Sequence, residues 1–485
     1  MTDIKQKGVV AAGHRLTAET AAAVLRDGGN AADAAIAALA MACVCEPVLA
    51  SPGGGGFAML RDAQTGNSVL IDFFPQTPQE HRMTGSAGVI EVHADFGTAT
   101  QMFHIGPATV AAPGFFAGIE SIRERGAGAS LSDLFAPAAN AARTGVRVTP
   151  YQHFLSNVVQ SILTATPAAR DLFAPGGQMV AAGELYRNPG LADALEIMAA
   201  DGFANSAVGQ MFAEGQNGRG HLGVKDLADY RAVVRDPIMI GCADCRISLN
   251  PLPAASGVLI AHGLGHLADT RPVSMADAMN CTDLARRRAN GDMASLLDRP
   301  VRQRGTTHVS IIDSAGNACA VTVSNGEGNG ELVGPFGFMP NNILGEEDVN
   351  PHGAGGWPAN TRLASMMCPA IIETGDGGIA ALGSGGSNRI RSAMLQVISR
   401  ISLDGSALTD AVEAPRMHVE NGHLDFEDQF SSDDRTTLTN AFPDHRAWPK
   451  PNMFFGGVHA VSMCADGRFD GAGDRRRDGI CIIVE

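Results

Sequence analysis

The run Ala34–Cys45, AAIAALAMACVC, is uncharged, rich in alanine and bounded by two acids, Asp33 and Glu46. It is too short to cross a bilayer, which takes about 20 apolar residues. It therefore predicts a helix buried on every side. Alanine offers so little side chain that whatever packs on this helix must approach it closely. Asn30 leads into the helix and Pro47 marks its end. Ahead of it the pattern gives a strand from about residue 9, then a helix running through Leu25 to Gly28-Gly29, with Thr17 its expected cap. Behind it, Ser51-Pro-Gly-Gly-Gly-Gly-Phe57 opens two strand-like runs, FAML and SVLIDFF. The glycines let backbone amides come close to a ligand or another chain. No Lys-Ser/Thr follows them and no helix begins there, so a phosphate-binding P-loop is a poor reading.

A chain of 485 residues exceeds one ordinary core, so one large unit or two intimately packed units are expected. Residues 115–235 are mostly helical in pattern. The stretch Thr282–Arg304 is rich in Arg, Asp and Asn and predicts an exposed, flexible segment, the kind that can precede a processing site. The formal net charge of −15 argues against a nucleic-acid or anionic-membrane partner. The opening MTDIKQKGVVAAGH has no apolar core of signal-peptide length, and nine scattered cysteines suggest free thiols. A cytoplasmic location is the expectation. Cys242 and Cys245 form the one C-x-x-C, and no second ligand pair accompanies them. We expect a plain structural pair, with no metal and no cofactor.

The segment RQRGTTHVSIID, Arg302–Asp313, raises a sharper question. A basic run ends at Gly305, and Thr306-Thr307-His308 open an apolar strand. Ser314-Ala-Gly-Asn317 then turns the chain into a second strand, Ala318–Ser324, giving a hairpin. One reading is a loop entering a strand, with Thr chosen for β-propensity. The other is a cleavage point that makes Thr306 a new N-terminus. Its hydroxyl would then be a nucleophile activated by its own α-amine, whose ordinary pKa is about 8. Further on come a second Gly-rich loop from Asn325, and a strand ending in Gly383-Ser-Gly-Gly-Ser-Asn388. A helix from Arg389 to about Ile401 and a final hairpin ending GICIIVE complete the pattern.

Seven blocks together resemble the γ-glutamyltranspeptidase family, in its order. They are GGNAADAAIAALAMACVCEP, SPGGGGF, TTHVSIIDSAGNACAVTVS, NNILGEED, SMMCPAII, GSGGSNRI and FFGGVHAV…GAGDRRRDG. The resemblance spans nearly the whole chain. It implies an α/β N-terminal-nucleophile hydrolase, a four-layer αββα sandwich of two stacked antiparallel sheets. It implies self-cleavage between Gly305 and Thr306, leaving 1–305 and 306–485 associated in one folded unit. The activity implied is hydrolysis or transfer of an amide's acyl group, γ-glutamyl or related, through an acyl-Thr306 ester that water or an amine resolves. Ser324 matches a family Thr that bonds the nucleophile and supports processing. The oxyanion donors fall on the amides of Gly386 and Ser387, or alternatively Gly385 and Gly386. His308, on the strand face of Thr306, reads as structural. Arg475-Arg-Arg-Asp478 matches a C-terminal signature, or is simply a solvated charged turn.

The substrate residues depart from the family pattern. An Arg that grips the α-carboxylate is Phe74 here, in Asp72-Phe-Phe-Pro75. Of two helping serines, one remains as Ser365 and the other is Met366. On the amino side Asn325 and Glu346 are the best matches, and a Gln is replaced by Ile343. A phenyl ring offers no donor where a guanidinium would clamp a carboxylate in two places. The nucleophile is kept and the acyl pocket is expected to be rewritten. The competing reading is an unprocessed, inactive relative that serves as a binding protein.

Overall fold

Two antiparallel sheets, stacked face to face, carry the residues singled out above. The structure is a computed structural model that describes residues 6–83, 87–95, 100–288, 305–346 and 356–485. The strands of the two main sheets, numbered in chain order, are β1 (Gly8–Ala12), β2 (Gly55–Arg61), β3 (Ser68–Phe73), β4 (Val233–Arg235), β5 (Ile238–Cys242), β6 (Cys245–Leu249), β7 (Thr307–Asp313), β8 (Ala318–Ser324), β9 (Ala370–Glu373), β10 (Ile379–Gly385), β11 (Gly457–Met463), β12 (Phe469–Ala472) and β13 (Ile480–Val484). The first sheet runs β13-β1-β7-β8-β2-β3-β4 and the second β12-β11-β10-β9-β6-β5. All neighbours in both are antiparallel.

Period-2 alternation sorts the side chains into layers. On β7, Val309 and Ile311 face outward. There they join the core formed by the predicted alanine helix, α2 (Ala31–Cys45), and its partner α1 (Arg15–Arg26). Ile312 points the other way, with Val9, Phe57 and Met59, onto Leu382, Val458 and Ala460 of the second sheet. The far side of the second sheet is covered by α3 (Ser256–His266) and, further along the chain, α5 (Arg389–Asp404). The order helix, sheet, sheet, helix is the expected αββα sandwich. α4 (Pro272–Arg288) lies beside α3.

α2 is buried along its whole length, as its composition requires. A capping box starts it. The Asn30 side chain accepts from the amides of Ala32 and Asp33, and the Asp33 carboxylate accepts from the Asn30 amide. Cys242 and Cys245 face each other across the tight turn from β5 to β6.

Three expectations are corrected. Thr17 does not cap α1. His14 does, its Nδ1 accepting from the Leu16 amide at 3.1 Å, while the Thr17 hydroxyl donates to buried Glu46 at 2.8 Å. The last two strands do not pair as a hairpin, for β12 belongs to the second sheet and β13 to the first. The start of the segment expected to be exposed is the end of α4, where Thr282, Asp283 and Arg286 are buried. There Asp283 holds Arg286 and Arg391 at 3.0 and 3.3 Å. Residues 289–304 of that segment lie outside the described residues.

Candidate active site

Thr306 sits where β7 begins, buried between the sheets, with the chain continuous from Gly305. Its neighbours come from three loops. Directly ahead of it, the Gly305 carbonyl oxygen receives the Ser324 hydroxyl at 2.6 Å. The same Ser324 oxygen accepts from the Gly326 amide at 3.1 Å. A hydroxyl that accepts there has its one hydrogen left for Gly305, so Ser324 is held with its proton on that carbonyl. The Gly305 amide in turn donates to Glu327 Oε1 at 3.2 Å. The Gly305–Thr306 peptide is thus gripped at Gly305 by Ser324, the last residue of β8, and by Glu327 of the turn that follows. A side chain at Gly305 would strike the carbonyls of Gly326 and Val48, both 2.7 Å from an added Cβ, which explains the glycine.

From the second sheet, the loop after β10 closes on Thr306. A Cβ at Gly385 would lie 2.3 Å from the Thr306 carbonyl oxygen, so only glycine fits. Gly386 and Ser387 both hold positive φ, 128° and 55°, before α5 begins. Their amides make no hydrogen bond among the described residues. Free amides in a glycine turn beside a nucleophile are what a developing oxyanion needs.

His308 faces the same space as Thr306, as alternation requires, and its ring lies against Gly383. It is not a base for Thr306. Ser310 donates to the His459 carbonyl at 3.2 Å, so it can only accept from His308 Nε2 at 2.8 Å. Nδ1 then accepts from the Thr322 hydroxyl at 2.8 Å. Both ring nitrogens are used, and burial holds the imidazole well below its ordinary pKa. On the opposite strand face Thr307 donates to Glu46 at 2.6 Å. Glu46 also receives Thr17. Burial raises its pKa to about 7 against the pull of these two hydroxyls.

The expected amino-side residues gather near this turn. Asn325 donates to the Met339 carbonyl at 3.3 Å, and its side-chain oxygen is buried without a partner among the described residues. Glu346 reaches the turn itself, 2.4 Å from a Cβ built on Gly326. The carboxylate-side residues are engaged in packing and hydrogen bonds of their own. Phe74 is 2% exposed and stacks on Phe57 with centroids 5.6 Å apart. Ser365 turns its hydroxyl to the Met367 amide at 3.1 Å, and Met366 packs on Ala255 and Leu259. No hydrogen bond or ring contact described for Phe74, Ser365 or Met366 reaches Thr306.

The sequence reading passed over Glu327, and it left the run Arg475–Asp478, which holds Arg477, between a C-terminal signature and a solvated turn. Glu327 is the one acid in the Gly-rich turn NGEGNG, a signal that was available. Arg477 sits in a run of three arginines whose members part company. Arg475 is exposed and pairs with Glu413, while Arg476 is buried between Glu427 and Asp474 at 2.6 and 3.1 Å. Arg477 is buried beside Gly385 and Gly386.

A threonine at the start of a central strand, faced by a glycine loop within an αββα sandwich, is an arrangement that suits an N-terminal-nucleophile hydrolase. Residues 17–291 and 281–484 match the family described as Gamma-glutamyltranspeptidase. The chain belongs to the γ-glutamyltranspeptidase family. It is a self-processing amidohydrolase/acyltransferase with an N-terminal nucleophile. It is 26% identical to the glutathione hydrolase proenzyme of Bacillus subtilis (strain 168), over 99% of this chain and 92% of that one. It is 28% identical to the acylase ACY 1 proenzyme of Pseudomonas sp. (strain V22), over 99% and 94%. The crystal structure of a cephalosporin acylase from Bacillus halodurans superposes with a TM-score of 0.83 at 20% identity, covering 99% and 96%; this bears on the fold alone.

Proposed function

We propose that the chain cuts itself between Gly305 and Thr306 and then hydrolyses or transfers an acyl group through Thr306. The observation that carries this is the Ser324 hydroxyl on the Gly305 carbonyl at 2.6 Å. That bond polarises the one carbonyl that Thr306 Oγ1 must attack, and it strengthens as the oxygen becomes an oxyanion. In the self-cleavage, Thr306 Oγ1 bonds to the Gly305 carbonyl carbon and its proton passes to the departing Thr306 nitrogen. The C–N bond breaks, leaving an ester that water hydrolyses. Residues 1–305 then end in a carboxylate and 306–485 begin with a free amine.

That amine is the base of the mature enzyme. It takes the Thr306 hydroxyl proton as Oγ1 attacks a substrate amide, and returns it to the leaving amine. The amides of Gly386 and Ser387 receive the oxyanion. Water or an amine acceptor then releases the acyl group. The relatives named above are a glutathione hydrolase and an acylase, so the acyl donor is an amide of γ-glutamyl or related type. Asn325 and Glu346 keep an amino-side subsite. Phe74 and Met366 supply no clamp for the glutamate α-carboxylate, so glutathione is a poor donor. A cytoplasmic setting fits the nine free thiols.

The test is a pair of measurements. Thr306→Ala should stay whole on a denaturing gel and form no acyl-enzyme, while the parent protein splits in two. On the split protein, glutathione and γ-glutamyl anilides should fall at least roughly tenfold in kcat/KM below the best amide in a screen, the loss expected for one charged bidentate contact. Efficient glutathione turnover would show that the α-carboxylate is still held.

A further inference from the structure

We propose that Asn388 is a positioning residue for turnover: tied to Glu420 and Arg391, it holds the turn whose Gly386 and Ser387 amides take the substrate oxyanion. This deepens the function above and rests on Thr306 being the nucleophile and on that turn being its oxyanion site.

Asn388 stands where α5 begins, and asparagine is a good helix cap by type. Here it caps nothing, for no amide of the first turn of α5 donates to its side chain among the described residues. The side chain is fully buried and spent on two charges instead. Its Nδ2 donates to Glu420 Oε1, and its Oδ1 accepts from Arg391 Nε at 3.0 Å. A carboxylate only accepts and a guanidinium only donates, so the amide fits one way round. Both charges are braced from α4, which belongs to the piece ahead of the cut. Asp283 takes Arg391 at 3.3 Å and Arg286 at 3.0 Å, and Arg286 reaches Glu420 at 3.2 Å. The Asn421 amide, next to Glu420, donates to Asp283 at 3.0 Å. An amide bonded at both ends to a buried ionic network has little freedom to move.

The turn ahead of Asn388 needs such a hold. Ser387 has φ 55°, a left-handed conformation that costs a residue with a Cβ and persists only where its surroundings enforce it. The direction of its amide is set through the peptide plane. In a trans peptide the Gly386 carbonyl and the Ser387 N–H point opposite ways. The Gly386 carbonyl accepts from the Arg389 amide at 3.1 Å, and the Ser387 carbonyl from the Ile390 amide at 3.0 Å. The first turn of α5 therefore aims the Ser387 N–H away from the helix, and Arg391, the anchor of Asn388, is in that turn. The Gly386 N–H is aimed from the other side. There the Ser384 hydroxyl donates to the Gly385 carbonyl at 2.8 Å and accepts from the Gly457 amide at 3.1 Å. Self-cleavage makes a different demand. The carbonyl attacked then is that of Gly305, and its oxygen is served by Ser324. Loss of Asn388 should spare processing and impair turnover, a separation that general loosening of the fold would not give.

The experiment compares Asn388→Ala and Glu420→Ala with the parent protein. Self-cleavage is read as loss of intact chain on denaturing gels. Turnover is read with p-nitrophenyl acetate, a small activated ester, against Thr306→Ala as the blank. Both variants should self-cleave within about twofold of the parent rate and lose at least about tenfold in kcat, with KM little changed. Glu420→Gln, which keeps an acceptor for the Asn388 amide, should retain more of kcat than Glu420→Ala. A second arm needs no turnover and decides the matter if the cut parent leaves the ester at the rate of the blank. In the uncut Thr306→Ala background, Asn388→Ala should speed hydrogen exchange over residues 383–391, read by mass spectrometry, because the Arg389 and Ile390 amides lose the turn that holds them. A parental kcat in Asn388→Ala, equal losses of self-cleavage and turnover, or unchanged exchange over residues 383–391 would each overturn the proposal. An uncut parent chain would refute the Thr306 reading, whereas a cut parent whose Asn388→Ala variant keeps its kcat refutes only the role of Asn388.

Discussion

At the scale of single residues, the decisive feature is a hydroxyl placed by its own acceptor role. Ser324 accepts from Gly326 and therefore donates to Gly305. Removing such a donor from a developing oxyanion typically costs 10²–10³ in rate, about 3–4 kcal/mol. Ser324→Ala should slow self-cleavage by roughly that factor, and Ser324→Thr should preserve it, both followed by the loss of intact chain on denaturing gels. Rates unchanged in Ser324→Ala would assign the polarisation of Gly305 elsewhere. Thr306, Ser324 and the glycine loop were legible in the sequence because each is fixed by chemistry carried in a short motif. Arg477 was not. A run of three arginines carries the same pattern whether it is solvated or buried, and only the packing shows that Arg476 turns inward to Glu427 and Asp474 and Arg477 to Gly457 and Gly385 while Arg475 stays exposed.

At the scale of elements, α2 ends on Glu46, where a buried carboxylate faces the weakly negative end of a helix. Its pKa of about 7 lies above the ordinary 4.5, so the folded state holds this proton more tightly than the unfolded chain does. The sign follows: stability is lost as pH rises from about 4.5 through 7, by roughly 3 kcal/mol for this group alone. His308 and His459, held neutral by burial, act oppositely and gain stability as pH rises toward 6.5. The difference between two proteins isolates the Glu46 contribution. In an uncut Thr306→Ala background, Glu46→Gln should remove the falling component of the melting temperature between pH 5 and 7.5. Parallel curves would show that Glu46 ionises as it would in water. The alanine helix itself was readable because its composition admits only burial. The cap of α1 was misread because Thr17, a good capping residue by type, is drawn into α1 by a partner 29 positions away.

At the scale of the whole molecule, the strand order interleaves the two halves of the chain. In the first sheet β13, β7 and β8 from beyond residue 305 alternate with β1 and β2–β4 from before it. In the second sheet β9 pairs with β6 in the same way. Cutting at Gly305–Thr306 breaks no ladder, so the pieces are expected to remain one folded body. The layer order was legible through the family resemblance. The split of β12 and β13 between sheets was not, because both strands and the turn between them look like a hairpin until β1 is seen to need a second neighbour. The most direct measurement of the account is the N-terminal sequence and intact mass of the smaller fragment after the purified precursor is left to mature. A fragment beginning Thr-Thr-His-Val is the expected result. A chain that stays whole, or a cut that leaves any residue ahead of Thr306, would contradict it.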